Sequence, residues 1–201
     1  MRLKDRRVPT QPEAESGIPI ALRNARAHIE CAALLADHGF AGPATSFLIL
    51  GIEETEKART LGQIALGTDL TESELLARLF THPSRYEGAL WKSWSKGSLM
   101  TWALEALREE LGIKPARSED QRLAEVIAQH PEALPLDWAA KAGQMREAGL
   151  YVDLAEDGNW TSPADVSRDV YEELRRPAES LLRYVEAAFE REINLGRKDL
   201  T

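Results

Sequence analysis

The chain has 201 residues, of which 43% are hydrophobic and 29% are charged, a composition that suits one globular domain with a substantial core. Its formal net charge of −8 excludes a generally basic nucleic-acid-binding surface, although a local basic patch remains compatible with it. The single cysteine, Cys31, cannot form an internal disulfide, and no apolar stretch approaches the length of a membrane span. We therefore expect a cytoplasmic protein that does not associate with membranes.

Helical periodicity dominates the first part of the chain. Residues 1–16 are polar and lack periodicity, which predicts a flexible N-terminal arm. Beyond it, apolar spacing predicts a helix over 18–38, a second over 43–67 and a third over 68–80. The third contains Thr71-x-x-Glu74, the pattern of a capping box at a helix start.

The second part of the chain predicts more helices and one interruption. Helices are expected over 83–112, 118–128, 136–148 and 163–194, and Pro177 should kink or divide the last of them. Between them, near residues 149–162, alternating apolar residues and an Asp-Gly turn predict a β-hairpin. The sequence therefore predicts an all-α bundle with a small hairpin insertion, as one domain over 17–195 followed by a flexible tail at 196–201.

The second predicted helix carries charged residues where its pattern calls for apolar ones. Spacings of three and four residues define one seam, which consists of Phe47, Leu50, Glu54, Lys57, Leu61 and Ile64. Buried charges are costly unless they are paired, so they are expected where chemistry, binding or specificity needs them. Glu53 adds a second carboxylate beside this seam. The alternative is that Glu54 and Lys57 reach the surface and form an ordinary ion pair between neighbouring turns.

A histidine between two arginines is the next candidate. His82 follows Arg78 by one helical turn and precedes Arg85 by another. Imidazole transfers protons near neutral pH and guanidinium binds phosphate, so this grouping suits phosphate chemistry. The alternative is that His82 only caps a helix end before Pro83.

Four stretches of the sequence resemble the abortive-infection proteins of the AbiV family, a bacterial antiphage group within the HEPN superfamily. They are Arg-Asn-Ala at 23–25, Leu-Gly-Ile-Glu-Glu-Thr-Glu-Lys at 50–57, Phe-Thr-His-Pro-Ser-Arg at 80–85 and the hairpin segment at 149–163. The hairpin segment, with Gly-Leu-Tyr-Val-Asp before its turn and Gly-Asn-Trp after it, is the most specific of the four. Two positions depart from the family pattern, because Arg85 replaces a lysine and Glu56 replaces a glycine.

The resemblance implies a HEPN-like up-and-down helical bundle, commonly a homodimer, with a role in defence against phage. Active HEPN proteins cut RNA without a metal, so we expect no metal and no cofactor. The implied catalytic group is His82, Lys57, Glu54 and Glu53, and the implied substrate-binding group is Asn24, Arg78 and Arg85. Arg23 and His28 match the spacing of the HEPN arginine–histidine motif, but a chain this rich in arginine contains such spacings by chance. They are therefore weaker candidates.

Three functions agree with these observations. The first is a metal-independent endoribonuclease that stops translation in infected cells, with RNA bound at the polar residues. The second is a non-catalytic HEPN-like module that binds a nucleotide or a phage-encoded protein, either an activator or a target. The third is a helical scaffold in which the Glu–Lys pair only fixes helix register.

Overall fold

The computed structural model describes residues 6–95, 133–135, 137–154 and 158–198, with the backbone alone at 91–95 and 191–198. The described residues form six helices and one two-stranded hairpin, which confirms the predicted all-α fold. In chain order they are α1 (Gln11–Asp37), α2 (Ala41–Leu66), α3 (Glu72–Phe80), α4 (His82–Ser95), α5 (Trp138–Ala148), β1 (Asp153–Leu154), β2 (Trp160–Thr161) and α6 (Arg168–Lys198). Among the described residues, no helix is both long and apolar enough to cross a membrane.

Helix α1 begins at Gln11 rather than at the predicted Ile18, so part of the expected N-terminal arm is helical. The cause is a capping box, in which the backbone N–H of Thr10 donates to Oε2 of Glu13 at 2.8 Å. Arg7 donates to the same carboxylate at 2.6 Å. These hydrogen bonds, that of Arg7 first, lower the pKa of Glu13 to about 2. The carboxylate therefore stays ionised at the positive end of the helix.

The long helices α1 and α2 pack closely against each other. Small residues line the buried face of α1, and Gly51 of α2 lies over them. A Cβ at Gly51 would lie 2.7 Å from Cγ1 of Ile29, so only glycine permits this approach. Around this pair, α4, α5 and α6 complete a core that includes Leu48, Ile49, Ile52, Tyr86, Trp138, Leu174 and Leu182.

The third helix begins at its predicted capping box, four residues after the predicted start at 68. The backbone N–H of Thr71 donates to Oε2 of Glu74 at 2.8 Å, which confirms the capping box. Helix α4 begins at His82, so this histidine lies in its first turn. The remainder of the helix predicted over 83–112, and all of the helix predicted over 118–128, lie outside the described residues.

The predicted hairpin is present between α5 and α6. Strands β1 and β2 are antiparallel, with Leu154 opposite Trp160, and Gly158 adopts a φ of +83° beside the turn. Helix α6 then runs through Pro177 undivided, so of the kink and the division expected there the division is absent, and its backbone continues to Lys198, into the expected tail.

Candidate functional site

A buried carboxylate organises the most polar part of the core. Glu53 of α2 is 2% exposed, and donors from two other helices surround it. Its Oε2 accepts from Nδ1 of His82 at 2.7 Å and from Nη1 of Arg85 at 3.2 Å. Its Oε1 accepts from the hydroxyl of Tyr86 at 2.8 Å and from Nη1 of Arg146 at 3.2 Å. Both oxygens are therefore satisfied, as a buried carboxylate requires.

Local sequence places three of these donors together. His82, Arg85 and Tyr86 stand at positions i, i+3 and i+4 in the first turn of α4, so they share one helix face. Arg146 comes from the last turn of α5, which packs beside α4. The site is thus the junction of α2, α4 and α5.

Arg85 is a structural member of this cluster. Its Nη1 bonds Glu53, its Nε donates to the backbone carbonyl of Arg78 at 3.2 Å, and its Nη2 donates to that of Leu79. Those carbonyls belong to the last turn of α3, where helical carbonyls lack partners within their own helix. Arg85 therefore joins the end of α3 to Glu53, and Arg78 enters the cluster through its backbone carbonyl. The role of both arginines in substrate binding stays a prediction.

His82 is the most exposed member of the cluster. Its side chain is 48% exposed. Because an ionised carboxylate only accepts hydrogen bonds, Nδ1 carries a proton toward Glu53, and Nε2 keeps its lone pair in the neutral imidazole. Nη1 of Arg146 lies 2.9 Å from Nδ1 and 3.2 Å from Nε2, so with Nδ1 protonated the Arg146 N–H donates to Nε2. The arrangement can hold an imidazole in one tautomer as a proton acceptor once the Arg146 side chain turns away from Nε2.

Tyr86 also donates to Glu53, and its ring packs against that of His82. Burial, and then the hydrogen bond to Glu53, raise its pKa well above the ordinary value, so the hydroxyl stays protonated and donates. Its ring is stacked on that of His82, with centroids 6.3 Å apart, and meets Trp138 edge-on at 5.8 Å. Packing on both sides therefore fixes where the hydroxyl points.

The seam proposed from sequence is only half-buried at its charged positions. Glu54 and Lys57 pair with each other, and both side chains keep partial access to solvent. The fully buried carboxylates of α2 are instead Glu53 and Glu56, and Glu56 accepts from Nε of Arg59 at 2.9 Å. The expectation that Glu54 and Lys57 occupy a buried stripe is thus corrected. Neighbouring residues of a helix point about 100° apart, and here the more buried direction is that of Glu53.

His28 of α1 lies near the Glu54–Lys57 pair of α2. Its ring is 5.6 Å from that of Phe47, measured between centroids. Its pKa is lowered, chiefly by burial, while the charges of Glu54 and Lys57 act on it in opposite directions. The charge of Glu53 acts on the same pKa in the raising direction and is the smallest of these effects.

The remaining predicted residues of α1 lie elsewhere. Asn24 and Arg23 are exposed, and Arg23 lines a groove formed by α1, the last turn of α2 and α6. Residues five apart on a helix diverge by about 140°, so His28 lies against Phe47 of α2 while Arg23 points toward the groove. The structure therefore separates the two residues of the arginine–histidine spacing. It places neither Asn24 nor Arg23 in the described contacts of His82, and their roles stay predictions.

Two members of the Glu53 cluster, Tyr86 and Arg146, are not predicted from the sequence. Tyr86 could have been found, because it is one turn after His82 on a predicted helix. Arg146 could not, because nothing in its local sequence links it to residues so distant in the chain. Among the residues that the structure describes, no group of His, Cys, Asp and Glu side chains is arranged to hold a metal ion.

The HEPN_AbiV family model, described as AbiV, matches residues 13–183, a stretch that contains every member of the Glu53 cluster. Comparisons with the curated proteins and with the solved structures each gave no match. The family match covers most of the chain, and it agrees with the all-α fold and with the resemblance found in the sequence. The chain belongs to the AbiV family of abortive-infection proteins in the HEPN superfamily.

Proposed function

We propose that this abortive-infection protein is a metal-independent endoribonuclease of the cytoplasm in which His82 is the general base. One observation carries the proposal: a half-exposed imidazole donates from Nδ1 at 2.7 Å to a buried carboxylate. A base whose orientation is fixed by a third group is the arrangement that activates hydroxyl nucleophiles. Glu53 acts as the orienting group and does not contact the substrate.

The reaction needs one proton acceptor on the solvent side. Nε2 of His82 removes the proton from a ribose 2′-hydroxyl, and that oxygen attacks the adjacent phosphorus. The bond from phosphorus to the 5′-oxygen breaks, and the leaving oxygen takes a proton from solvent. The products are a 2′,3′-cyclic phosphate and a free 5′-hydroxyl.

The charge balance of the cluster favours an anionic substrate. Among the residues that the structure describes, Glu53 is the only acid that contacts the ring, whereas Arg85 and Arg146 are both cationic, so one positive charge is in excess within the described cluster. The Arg146 side chain is 17% exposed, and its Nη2 is 3.6 Å from Oε1 of the exposed Glu147. An exposed contact of that length is weak, and a phosphate oxygen can replace it. We therefore assign to Arg146 the stabilisation of the negative charge that develops on the phosphate in the transition state.

A second function is supported by a different property of the same residues. All three nitrogens of Arg85 and both oxygens of Glu53 are used inside the protein. Internal satisfaction is what a non-catalytic module requires, since its polar cluster would only shape a surface. Such a module would bind a phage-encoded protein or a nucleotide beside His82.

The test removes the proposed base, His82, and keeps a hydrogen bond to Glu53. We expect His82→Asn to reduce cleavage of single-stranded RNA in EDTA by about 10²-fold or more, since an amide can donate to Glu53 but cannot accept the proton. The control is His38→Asn, because His38 is exposed at the end of α1 and its imidazole bonds only the carbonyl of Leu34 among the described residues. Cleavage is followed by gel electrophoresis, and the cyclic phosphate end by mass spectrometry.

Cells that carry each variant separate the two functions. An endoribonuclease loses phage protection with His82→Asn and degrades RNA during wild-type protection. Protection by the wild type while total RNA stays intact would favour the binding module instead. Unchanged RNA cleavage by His82→Asn would refute the assignment of His82.

A further inference from the structure

Two neighbouring arginines before α1 have different surroundings. Arg7 is held by Glu13, with Nη1 donating to Oε2 at 2.6 Å and Nη2 donating to Oε1 at 2.5 Å. Arg6 instead lies over the ring of Phe80, with 4.6 Å between its guanidinium carbon and the ring centroid. Among the residues that the structure describes, no carboxylate pairs with Arg6 and no acceptor takes a hydrogen bond from its side chain. Arg7 is thus neutralised locally, whereas Arg6 is a free cation.

The contact with Phe80 leaves the donors of Arg6 available. An aromatic ring attracts a guanidinium through its π face, and it uses none of the five N–H donors in a conventional hydrogen bond. Arg6 is exposed, whereas Phe80 is half-buried and packs against a core cluster that α1, α2 and α3 share. The ring therefore restricts where the guanidinium lies. A planar set of donors in a restricted position suits the oxygens of a phosphate.

The position of Phe80 connects Arg6 to the proposed base. Phe80 is the last residue of α3 and His82 is the first residue of α4, so Thr81 alone separates them. Two residues of chain span at most about 7 Å between Cα atoms. Arg6 therefore lies beside the chain segment that carries His82, on the side of α3, whereas Arg146 reaches the imidazole from α5.

We propose that Arg6, positioned by Phe80, binds a phosphate of single-stranded RNA on the α3 side of His82. The proposal rests on the proposed function, because RNA reaches this surface as the substrate of His82. A net charge of −8 repels RNA at long range, so binding depends on local cations that no acid of the protein neutralises. Single-strand-binding domains commonly cover about 4–16 nucleotides, so one strand can contact both His82 and Arg6.

The alternative is that Arg6 only packs the segment before α1 against α3. A packing role changes the stability of the protein, but it does not change how RNA affinity depends on salt. A phosphate contact does change that dependence, because each neutralised phosphate of a single strand contributes about 0.7 to the slope of log affinity against log salt concentration. That slope is therefore the measurement that separates the two roles.

The probe is a fluorescent oligouridylate of about 12 nucleotides in which every 2′-hydroxyl is methylated. It lacks the nucleophile of the proposed reaction, so binding is measured without cleavage, by fluorescence anisotropy over a range of salt concentrations. We expect Arg6→Gln to reduce the slope by about 0.7 and to weaken binding about eightfold at about 50 mM salt, the factor that this slope gives relative to 1 M. Arg6→Lys keeps the charge and should retain the slope of the wild type.

Arg7→Gln is the matched control, because it makes the same change in net charge one residue later. Arg7 is already paired with Glu13, so this variant should leave the salt slope close to that of the wild type. A double-mutant cycle tests whether the ring positions the cation. Arg6→Gln should weaken binding less in a Phe80→Leu background than in the wild type. Circular dichroism confirms that each variant is folded.

Three outcomes would overturn the phosphate contact. One is an Arg6→Gln variant with the slope and affinity of the wild type, and another is an equal loss of slope in Arg6→Gln and Arg7→Gln. The third is a wild type that does not bind the probe at any salt concentration, which would also contradict the endoribonuclease proposal. An equal effect of Arg6→Gln in both backgrounds would exclude positioning by Phe80. Binding that depends on Arg6, without any cleavage of unmodified RNA, would contradict the role of His82 alone.

Discussion

Replacing Glu53 by glutamine tests whether the buried carboxylate holds the site together. The substitution keeps the shape but removes the charge that faces Arg85 and Arg146, and it turns one acceptor oxygen into a donor. Removing one partner of a buried ion pair costs about 3–5 kcal/mol, because the other charge stays buried. Arg146 is 17% exposed and can turn toward water, whereas Arg85 is buried and cannot. We therefore expect a loss of about 3 kcal/mol in the free energy of unfolding.

The neighbouring residue supplies the control. Glu54→Gln makes the same chemical change one position later, where the carboxylate is half-buried and pairs with the more exposed Lys57. Such a pair contributes less than about 1 kcal/mol. Urea unfolding followed by circular dichroism measures both variants against the wild type. If the two variants lose similar amounts, the view of Glu53 as the organising charge of this cluster is incorrect.

Two further substitutions test the packing around the site. Gly149→Ala places a Cβ 2.3 Å from the carbonyl oxygen of Gly42, so the backbone must move, and we expect a loss of about 1–3 kcal/mol, measured as a lower Tm. Tyr86→Phe should flatten the loss of stability at alkaline pH. The folded-state pKa of Tyr86 is raised by burial, so its contribution is complete below the unfolded value of about 10 and declines as the pH rises above it. Tyr171, whose pKa burial also raises, leaves a residual decline, and an unchanged slope from pH 9 to 11 would contradict the assignment of Tyr86.

The fold was accessible from sequence because most helices end where their apolar spacing ends. The start of α1 was missed, although Thr10 and Glu13 repeat the capping pattern that was recognised at Thr71. Its first turns contain little apolar surface, so periodicity gave no indication of a helix there. At Pro177, where a kink or a division of the helix was the expectation, the division does not occur. The proline ring is buried in the packed face of α6, and tertiary packing compensates for the lost backbone hydrogen bond.

The candidate site was accessible only in part, since periodicity cannot say which face of a helix is most enclosed. Helix α2 is buried on most sides, and its buried polar residues (Thr45, Ser46, Glu53, Thr55, Glu56 and Thr60) blur the apolar stripe that sequence reasoning seeks. The heptad pattern therefore selected Glu54, whereas the enclosed carboxylate is one residue earlier.

His82 and Glu53 show how far the local sequence defines this site and where tertiary packing takes over. The histidine was singled out by its flanking arginines, yet one of those arginines proves to bind Glu53 and backbone carbonyls rather than face solvent. Arg146, the cation that contacts the ring, comes from a helix far along the chain. Local sequence can thus propose a reactive group, but its electrostatic surroundings depend on which helices the core brings against it. In this protein those helices are α2, which carries the enclosed Glu53, and α5, which carries Arg146.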